Sequence, residues 1–534
     1  MKNKSLVIRI GVTLIFTCLL YYVSLPALNL TDPSFYVFLI MIFVIYKITG
    51  LLSTNQVLKD FIVNKKLSAP KLGIEYFVVV GGILLIVVVN FICSPLFNSK
   101  SYSKRIVVNE DSNFTEDVKE VNFNALPLLD KDSSRKLGDR VMGQMPELVS
   151  QFQVSSLYTQ INYKNDIIRV TPLEYEGIIK YFTNRKNGVK GYITVNSVTG
   201  DTKLTKLDKG MKYMPSAMFN ENLERHLRFK YPTKIFGNMS FEIDNEGTPY
   251  WIIPTIKYTA VGLKEEIDGA IILNPVSGEA KNYKIKDIPK WVDQVFSADL
   301  IIEQVDDWGS LKKGYLNSIF GQKGVVKTTE GYNYTVQDDD VYMYTGITSA
   351  SADQSNIGFI LTNLRTKQTN FYSSPGAEEY SAMESAKGQV QQMNYTASFP
   401  LLINLNGRAT YLVSLKDKAG LVKMYSFVDV ADYQKVVVTD SSLGIEEAAR
   451  NYLANAELNV DTSKVKSKNI IIENVTSAVI DGVSYYYLTD TNNQKYKVSV
   501  KANESYIPFI TRGNSVNITY IKEEEVINIL SINK

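Results

Sequence analysis

Cysteine and histidine are almost missing: a chain of 534 residues has two of the first and one of the second. The cysteines, Cys18 and Cys93, lie inside long apolar runs, so the rest of the chain has no thiol to oxidise and no disulfide scaffold. With His226 alone, the usual zinc sites and a Cys–His nucleophile pair are excluded within one chain. No G-x-S-x-G elbow, H-E-x-x-H or P-loop occurs, and Ser381 and Ser385 lack the S-x-x-K spacing to Lys387. No catalytic constellation, metal site or cofactor is expected. Neither sign of charge dominates, and a net charge of +3 with 21% charged residues gives no concentrated basic surface. Nucleic acid is therefore not an expected partner.

Apolar sequence is abundant and crowds into the first hundred residues. Runs from Ile10 to Leu28, Phe35 to Leu52 and Phe77 to Leu96 are each long enough, at about 1.5 Å per residue, to cross a hydrocarbon core as a helix. Residues 1–97 thus read as three spans. The first run lacks a small-x-small cleavage site and two more follow it, which favours a retained span over a signal peptide.

Basic residues set the orientation. Lys2, Lys4 and Arg9 precede the first run, the loop Asn29 to Ser34 has none, and Ser53 to Glu75 has Lys59, Lys65, Lys66 and Lys71. The positive-inside rule then gives a cytoplasmic N-terminus and a large extracellular C-terminal part. Lys47 lies at the cytoplasmic end of the second span, within snorkelling reach. Lys100, Lys104 and Arg105 oppose this order, but they head a long domain, and such domains translocate largely regardless of charge. Asn90, with the Gly81-Gly82 pair, is expected to find its partner inside the three-helix group.

After a polar stretch at 98–132, read as a stalk, the sequence repeats. GYITVNSVTGDTKL at Gly191–Leu204 recurs as GAIILNPVSGEAKNYKI at Gly269–Ile285, as GFILTNLRTKQTNFY at Gly358–Tyr372 and as MYSFVDVADYQKVVV at Met424–Val438. A second hairpin precedes each copy, with turns at Asn165-Asp166, Gly247, Asp338–Asp340 and Gly407. A helix candidate comes before that hairpin. The third candidate is short, and the second places Phe219, Leu223 and Leu227 on one face. Each unit is predicted as one helix on a four-stranded antiparallel sheet with one apolar face. Gly200, Gly278, Gly247 and Gly407 supply positive φ at the turns. Residues 133–290 hold the first and second units and 291–440 the third and fourth. A connecting helix and linker fill 441–464. Short alternating strands at 465–534 are expected to form a small OB-like or SH3-like barrel.

Asn274-Pro275-Val276-Ser277-Gly278-Glu279, and next Asn196-Ser197-Val198-Thr199-Gly200-Asp201, resemble the D-P-x-T-G-E-like turn of PepSY-type domains, in which one helix packs on a small antiparallel sheet. The third and fourth copies have Thr366-Lys367 and Val430-Ala431 at that place. The resemblance implies an α+β fold and a role in modulating surface peptidases. The whole chain is similar to multi-span membrane proteins of Gram-positive bacteria with a large extracytoplasmic domain.

Three groups are candidates for binding. Tyr332, Tyr334, Tyr342 and Tyr344 alternate along predicted strands, which suits either recognition or cross-strand packing. Asp338, Asp339 and Asp340 occupy a turn, either solvated or holding Ca²⁺ weakly. Arg225 and Arg228, interspersed with Glu221 and Glu224, make either a basic patch for wall polymer or lipid headgroups or an ordinary solvated helix face. His226, at the edge of an apolar face, reads as structural. The function expected is that of a noncatalytic, membrane-anchored scaffold whose repeats form an elongated platform for envelope proteins or cell-wall polymer. The alternatives are a carboxylate-dependent glycan hydrolase and an accessory subunit of a transport or secretion complex.

Overall fold

A computed structural model describes residues 2–53, 73–350, 355–455, 466–480, 483–503, 505–520, 525–529 and 531–533. The lysines expected between the second and third spans lie outside the described residues. Helices Lys2–Ser24 and Pro33–Ser53 are long and apolar enough to cross a membrane. The third apolar run forms Ile74–Ile92, whose part Tyr76–Ile92 is bent by 49° from the next helix, Pro95–Tyr102. This pair adds a third crossing only if it acts as one span. Pro95 explains the break, because proline starts a helix readily but donates nothing to the one before it. The helices alternate in direction. Phe43 and Lys47, late in the second, meet Tyr76 at the start of the third, and the Arg9 guanidinium stacks 3.6 Å from the Tyr46 ring centroid.

Four units then share one topology. The leading helices are Lys131–Gly143, Leu223–Lys230, Ala298–Leu311 and Glu379–Gly388. The first three are capped by Asp130, Asn222 and Ser297, whose side-chain oxygens accept backbone N–H groups of the first turn. The third helix, expected to be short, runs for 14 residues. Phe219, expected on the apolar face with Leu223 and Leu227, instead lies in a separate turn at φ +53° and is exposed, while both leucines are buried.

Each helix leads into an antiparallel meander whose first strand is broken in two, both pieces pairing with the long second strand. The break faces two residues of that second strand: Thr171-Pro172, Ile253-Pro254, Thr345-Gly346 and Val413-Ser414. In every unit the residue after the first piece donates its N–H to the second of these two. The bonds are Ser155 to Pro172, Gly237 to Pro254, Thr329 to Gly346 and Ser398 to Ser414, at 2.8–3.0 Å. The first strand takes only the carbonyl of that residue and needs no backbone N–H from it, so proline is admitted to the strand interior in two units, whereas the Ser414 N–H donates to Ser398 Oγ at 3.0 Å.

The last hairpin also repeats. The side-chain oxygens of Asn196, Asn274 and Asn363 each accept from the backbone N–H groups two and three residues on, at 2.9–3.1 Å. The residue four positions on is left-handed: Gly200 at +80°, Gly278 at +75° and Lys367 at +64°. The third copy therefore makes the same turn without glycine. The fourth closes a longer loop, with Asp429 accepting from the Asp432 N–H.

Helices and sheets alternate through the core. Trp251 and Ile253 join the first and second units in one cluster, whereas Ile252 between them joins the helix Ala298–Leu311 and the third sheet. Val341 and Met343 face that same cluster, and Tyr342 and Tyr344 face the opposite one, shared with the fourth unit. The fourth sheet is backed by Ala448, Ala449 and Tyr452 of Ile445–Asn455. The inner sheets are thus covered on both faces, not one.

Two expectations about shape change. The segment 98–132 is no free stalk: Val108–Ser112 adds a parallel strand to the third sheet, and Leu126 and Leu128 pack under the fourth. The array is not elongated either, for the fourth unit returns to the first. Lys416 pairs with Asp130, and Lys136 donates to the Ala419 carbonyl at 2.7 Å. At the C-terminus, Lys466–Ile480 pairs with Val483–Asp490 along one half and Ser515–Tyr520 along the other. The outermost strands, Val526–Asn528 and Ser531–Asn533, do not pair. Among the described residues the expected barrel is a six-stranded half-barrel.

All four glycines expected at turns have positive φ, but their surroundings differ. A Cβ on Gly278 would lie 2.4 Å from the Tyr213 ring, whereas one on Gly407 meets nothing within 4 Å. Gly407→Ala should cost about 1 kcal/mol, and Gly278→Ala about 2–4 kcal/mol, because overpacking adds to left-handed strain. Thermal midpoints of the two variants in detergent test this, equal losses being the contrary result.

Candidate functional site

Where a helix ends, its last carbonyls have no donors of their own. At the end of Lys2–Ser24 the donors come from the second unit. Arg225 Nε donates to the Tyr22 carbonyl at 3.1 Å, with its guanidinium 4.3 Å from the Tyr22 ring centroid. Arg228 Nε donates to the Leu25 carbonyl at 2.9 Å, and its Nη1 to the carbonyls of Lys234 and Tyr231. Two positive charges thus meet the negative end of the helix dipole. Arg225 and Arg228, read from sequence as a patch or a solvated face, form a clamp instead.

The following loop extends the joint. The Leu28 N–H donates to the Pro232 carbonyl, Asn29 Nδ2 to the Thr233 carbonyl, and the Gly262 N–H to the Thr31 carbonyl. Ala27 is buried against Ile235 and Ile256. Asn90, near the end of Ile74–Ile92, takes both backbone groups of Val261, at 2.9 and 3.1 Å. Its partner is therefore the second unit, not another helix of the group. Gly81 and Gly82 face open space. Arg105, just past Pro95–Tyr102, is sunk among Glu266, Glu303 and Asp307 and also donates to the Glu265 carbonyl. The segments leaving the helical group are thus fastened to the second unit, and Arg105 is held by the third as well, through Glu303 and Asp307.

The other sequence candidates are tied elsewhere. Tyr344 is buried, and Tyr332, Tyr334 and Tyr342 pack against the clusters on the two faces of their sheet. The aspartates diverge: Asp338 meets Lys119, Asp339 accepts from Asn162 Nδ2, and Asp340 is gripped by Arg365 and Asn363. No group of three or more His, Cys, Asp or Glu arranged to hold a metal occurs among the described residues. His226 bonds the Gly278 carbonyl at 2.8 Å and packs on Tyr213.

Sequence reasoning missed a buried acidic junction. Glu242 accepts from Ser240 Oγ and from the N–H groups of Asp293 and Gln294, while Asp293 accepts from the Asn162 N–H. Burial pushes the Glu242 pKa up to about 7. Burial, and then the charge of Glu242, holds Asp293 well above the usual carboxylate range. At 0% and 1% exposure, neither carboxyl is open to a substrate.

It missed a cleft as well. A space of about 670 Å³ between the edge strand Ala280–Lys284 and the turn at Arg365-Thr366 is lined by Lys234, Lys284, Lys286, Arg365 and Asp268. Lys234 pairs with Asp268, and Arg365 with Asp340. Lys284 and Lys286 are exposed and have no acidic partner among the described residues. Lys284 ends the edge strand and Lys286 lies in the turn Ile285–Asp287 that follows, so two lysines closing an edge strand are the signal that could have found them.

Arg228→Ala should destabilise the protein by about 2–4 kcal/mol, since it leaves carbonyls at the joint unpaired. Arg228→Lys should restore little, lacking the planar fork. Thermal unfolding in detergent reads both. The raised acids predict a pH trend. Their protons are favoured in the folded state, so their contribution is complete below the ordinary glutamate pKa of 4.5 and is lost as pH rises through about 7. Glu242→Gln should flatten that decline, as measured by denaturant midpoints between pH 5 and 8.

No protein-family profile and no curated protein matches this chain. Among solved structures it is similar to the polysaccharide lyase Uly1, at 8% identity and a TM-score of 0.15, covering 70% of this chain and 77% of the lyase. It is also similar to an ACO/RPE65 chimera, at 7% identity and a TM-score of 0.14, covering 69% of this chain and 59% of the chimera. Likeness at this level carries no argument about activity.

Proposed function

We propose that this protein is a noncatalytic platform of the bacterial cell envelope, held by three membrane spans, with its units and half-barrel outside the cytoplasm. The observation that carries the reading is the joint: the ends of the first and third apolar helices and the loop opening the second all meet one face of the second unit. An odd number of crossings places these ends on one side, and the basic N-terminus and basic loop on the other. Arg105, which opposed this order in the sequence, has its charge met by three acids, so it weighs little as a free topological signal.

The cleft with Lys284 and Lys286 is the proposed contact for an anionic envelope polymer. The recurrence of one helix with one antiparallel sheet supports reading the units as PepSY-like, and modulation of a surface peptidase stays with that resemblance. The glycan hydrolase is less favoured, because Asp338, Asp339 and Asp340 turn to separate partners and the buried acids are sealed.

Cysteine labelling tests the reading. In a chain with Cys18 and Cys93 replaced by serine, Lys418→Cys on an exposed loop of the fourth unit should react with an impermeant maleimide in intact cells. Lys65→Cys should react only after lysis. The reverse pattern would overturn the orientation, and with it the envelope role.

A further inference from the structure

Helix Gly177–Asn184 is amphipathic the wrong way round for a soluble domain. It buries Tyr181 and turns Ile178, Ile179 and Phe182 outward, at 58%, 78% and 50% exposure. A surface helix normally puts such residues inward. Its position is fixed, for the Tyr181 hydroxyl donates to Glu221 Oε2 at 2.7 Å and Asn184 Nδ2 to Gln151 Oε1 at 3.1 Å. The exposed face is therefore held in place rather than left free to fold back.

Its neighbours lead directly to the membrane helices. The Phe182 ring centroid lies 6.1 Å from that of Phe219. The Phe219 carbonyl accepts from Arg225, the residue that clamps Tyr22. Phe229 packs on both Tyr21 and Tyr22, in the last turn of Lys2–Ser24. Phe219 and Phe229 are themselves about half exposed. The five side chains lie between Gly177–Asn184 and the end of the first apolar helix, with Arg225 bridging Phe219 to Tyr22.

The repeat supplies a second observation. The helix is an insertion between the second and third strands of the first unit. At the same place the second unit has only the loop 259–264, and that loop holds Asn90 and Thr31. This end of the second unit therefore adjoins the helical group. Lys180, Arg185 and Lys186 lie on or just after the helix, which gives the composition of an interfacial segment: apolar side chains with cations beside them.

We propose that Gly177–Asn184, with Phe219 and Phe229, seats in the headgroup and upper acyl region of an anionic bilayer beside the first span. The occupant is lipid, because the surface adjoins a helix end with aromatic residues at the interface level. Together the spans and this wedge fix the tilt of the units over the membrane. The inference rests on the membrane-anchored reading, and its test separates the two.

Three single-cysteine variants, Ile179→Cys, Leu19→Cys and Thr199→Cys, are made without Cys18 and Cys93 and labelled with an environment-sensitive fluorophore. Each full chain is reconstituted in phosphatidylglycerol–phosphatidylethanolamine vesicles. Thr199 lies in the turn at the opposite end of the strand Val189–Asn196, roughly 25 Å away. The Ile179 probe should shift to the blue and be quenched most by nitroxide placed about 5–10 Å below the surface. Leu19 should be quenched by deeper nitroxide, and Thr199 by neither. An Ile179 probe that behaves like Thr199, with Leu19 still quenched, overturns the wedge and leaves the anchor standing. An unquenched Leu19 overturns both. An Ile179 shift that follows protein concentration and ignores nitroxide lipid assigns the surface to a second copy and overturns the lipid proposal.

Discussion

Sheets with two apolar faces have to be covered twice, and this requirement organises most of the chain. In the second strand of the second unit, Trp251 and Ile253 point one way and Ile252 the other, and all three are fully buried. Exposing any one of them would cost on the order of 2 kcal/mol. Successive units meet this demand for each other, since Ala298–Leu311 packs between the second sheet and its own. The last sheet has no fifth unit to follow it, and Ile445–Asn455 serves as its cover. Segment 98–132 supplies edge pairing and extra apolar cover where the units leave gaps.

The joint to the apolar helices obeys a different rule. Carbonyls at the end of a helix that leaves lipid must find donors quickly, because the hydrocarbon offers none. Water could supply them, yet Arg225, Arg228 and the backbone of the second unit do so here. Bonds to a folded unit hold direction as well as energy. The ends of the helices and the second unit are thereby joined by directed bonds.

Local rules were legible in the sequence, and distant partners were not. The Asn196 and Asn274 turns, their glycines and the helix-hairpin-hairpin order could be read because each is set within a few residues. Lys367 hid the third turn, since Asn363 sets the geometry and the lysine is kept left-handed while its Nζ reaches the Arg105 carbonyl at 2.8 Å. The alternating tyrosines were ambiguous for a physical reason: strands buried on both faces lose the polar half of their period. Arg225, Arg228 and Asn90 looked solvated or intramembrane because their partners lie some two hundred residues away in the chain. The segment 98–132 looked like a stalk because a strap is held by scattered contacts such as Arg105, Phe114 and Leu128, with no period to betray them.

The return of the fourth unit to the first has a consequence for how this architecture can change. A solenoid grows by adding a repeat at either end, because each module needs only its neighbours. Here a fifth module would have to displace Ile445–Asn455 from the fourth sheet, in a set whose fourth member already touches the first through Lys416 with Asp130 and Lys136 with the Ala419 carbonyl. Loss of one module would leave two raw faces that no longer match. Adding or removing a module would therefore disturb contacts at both ends of the set, not at one end alone.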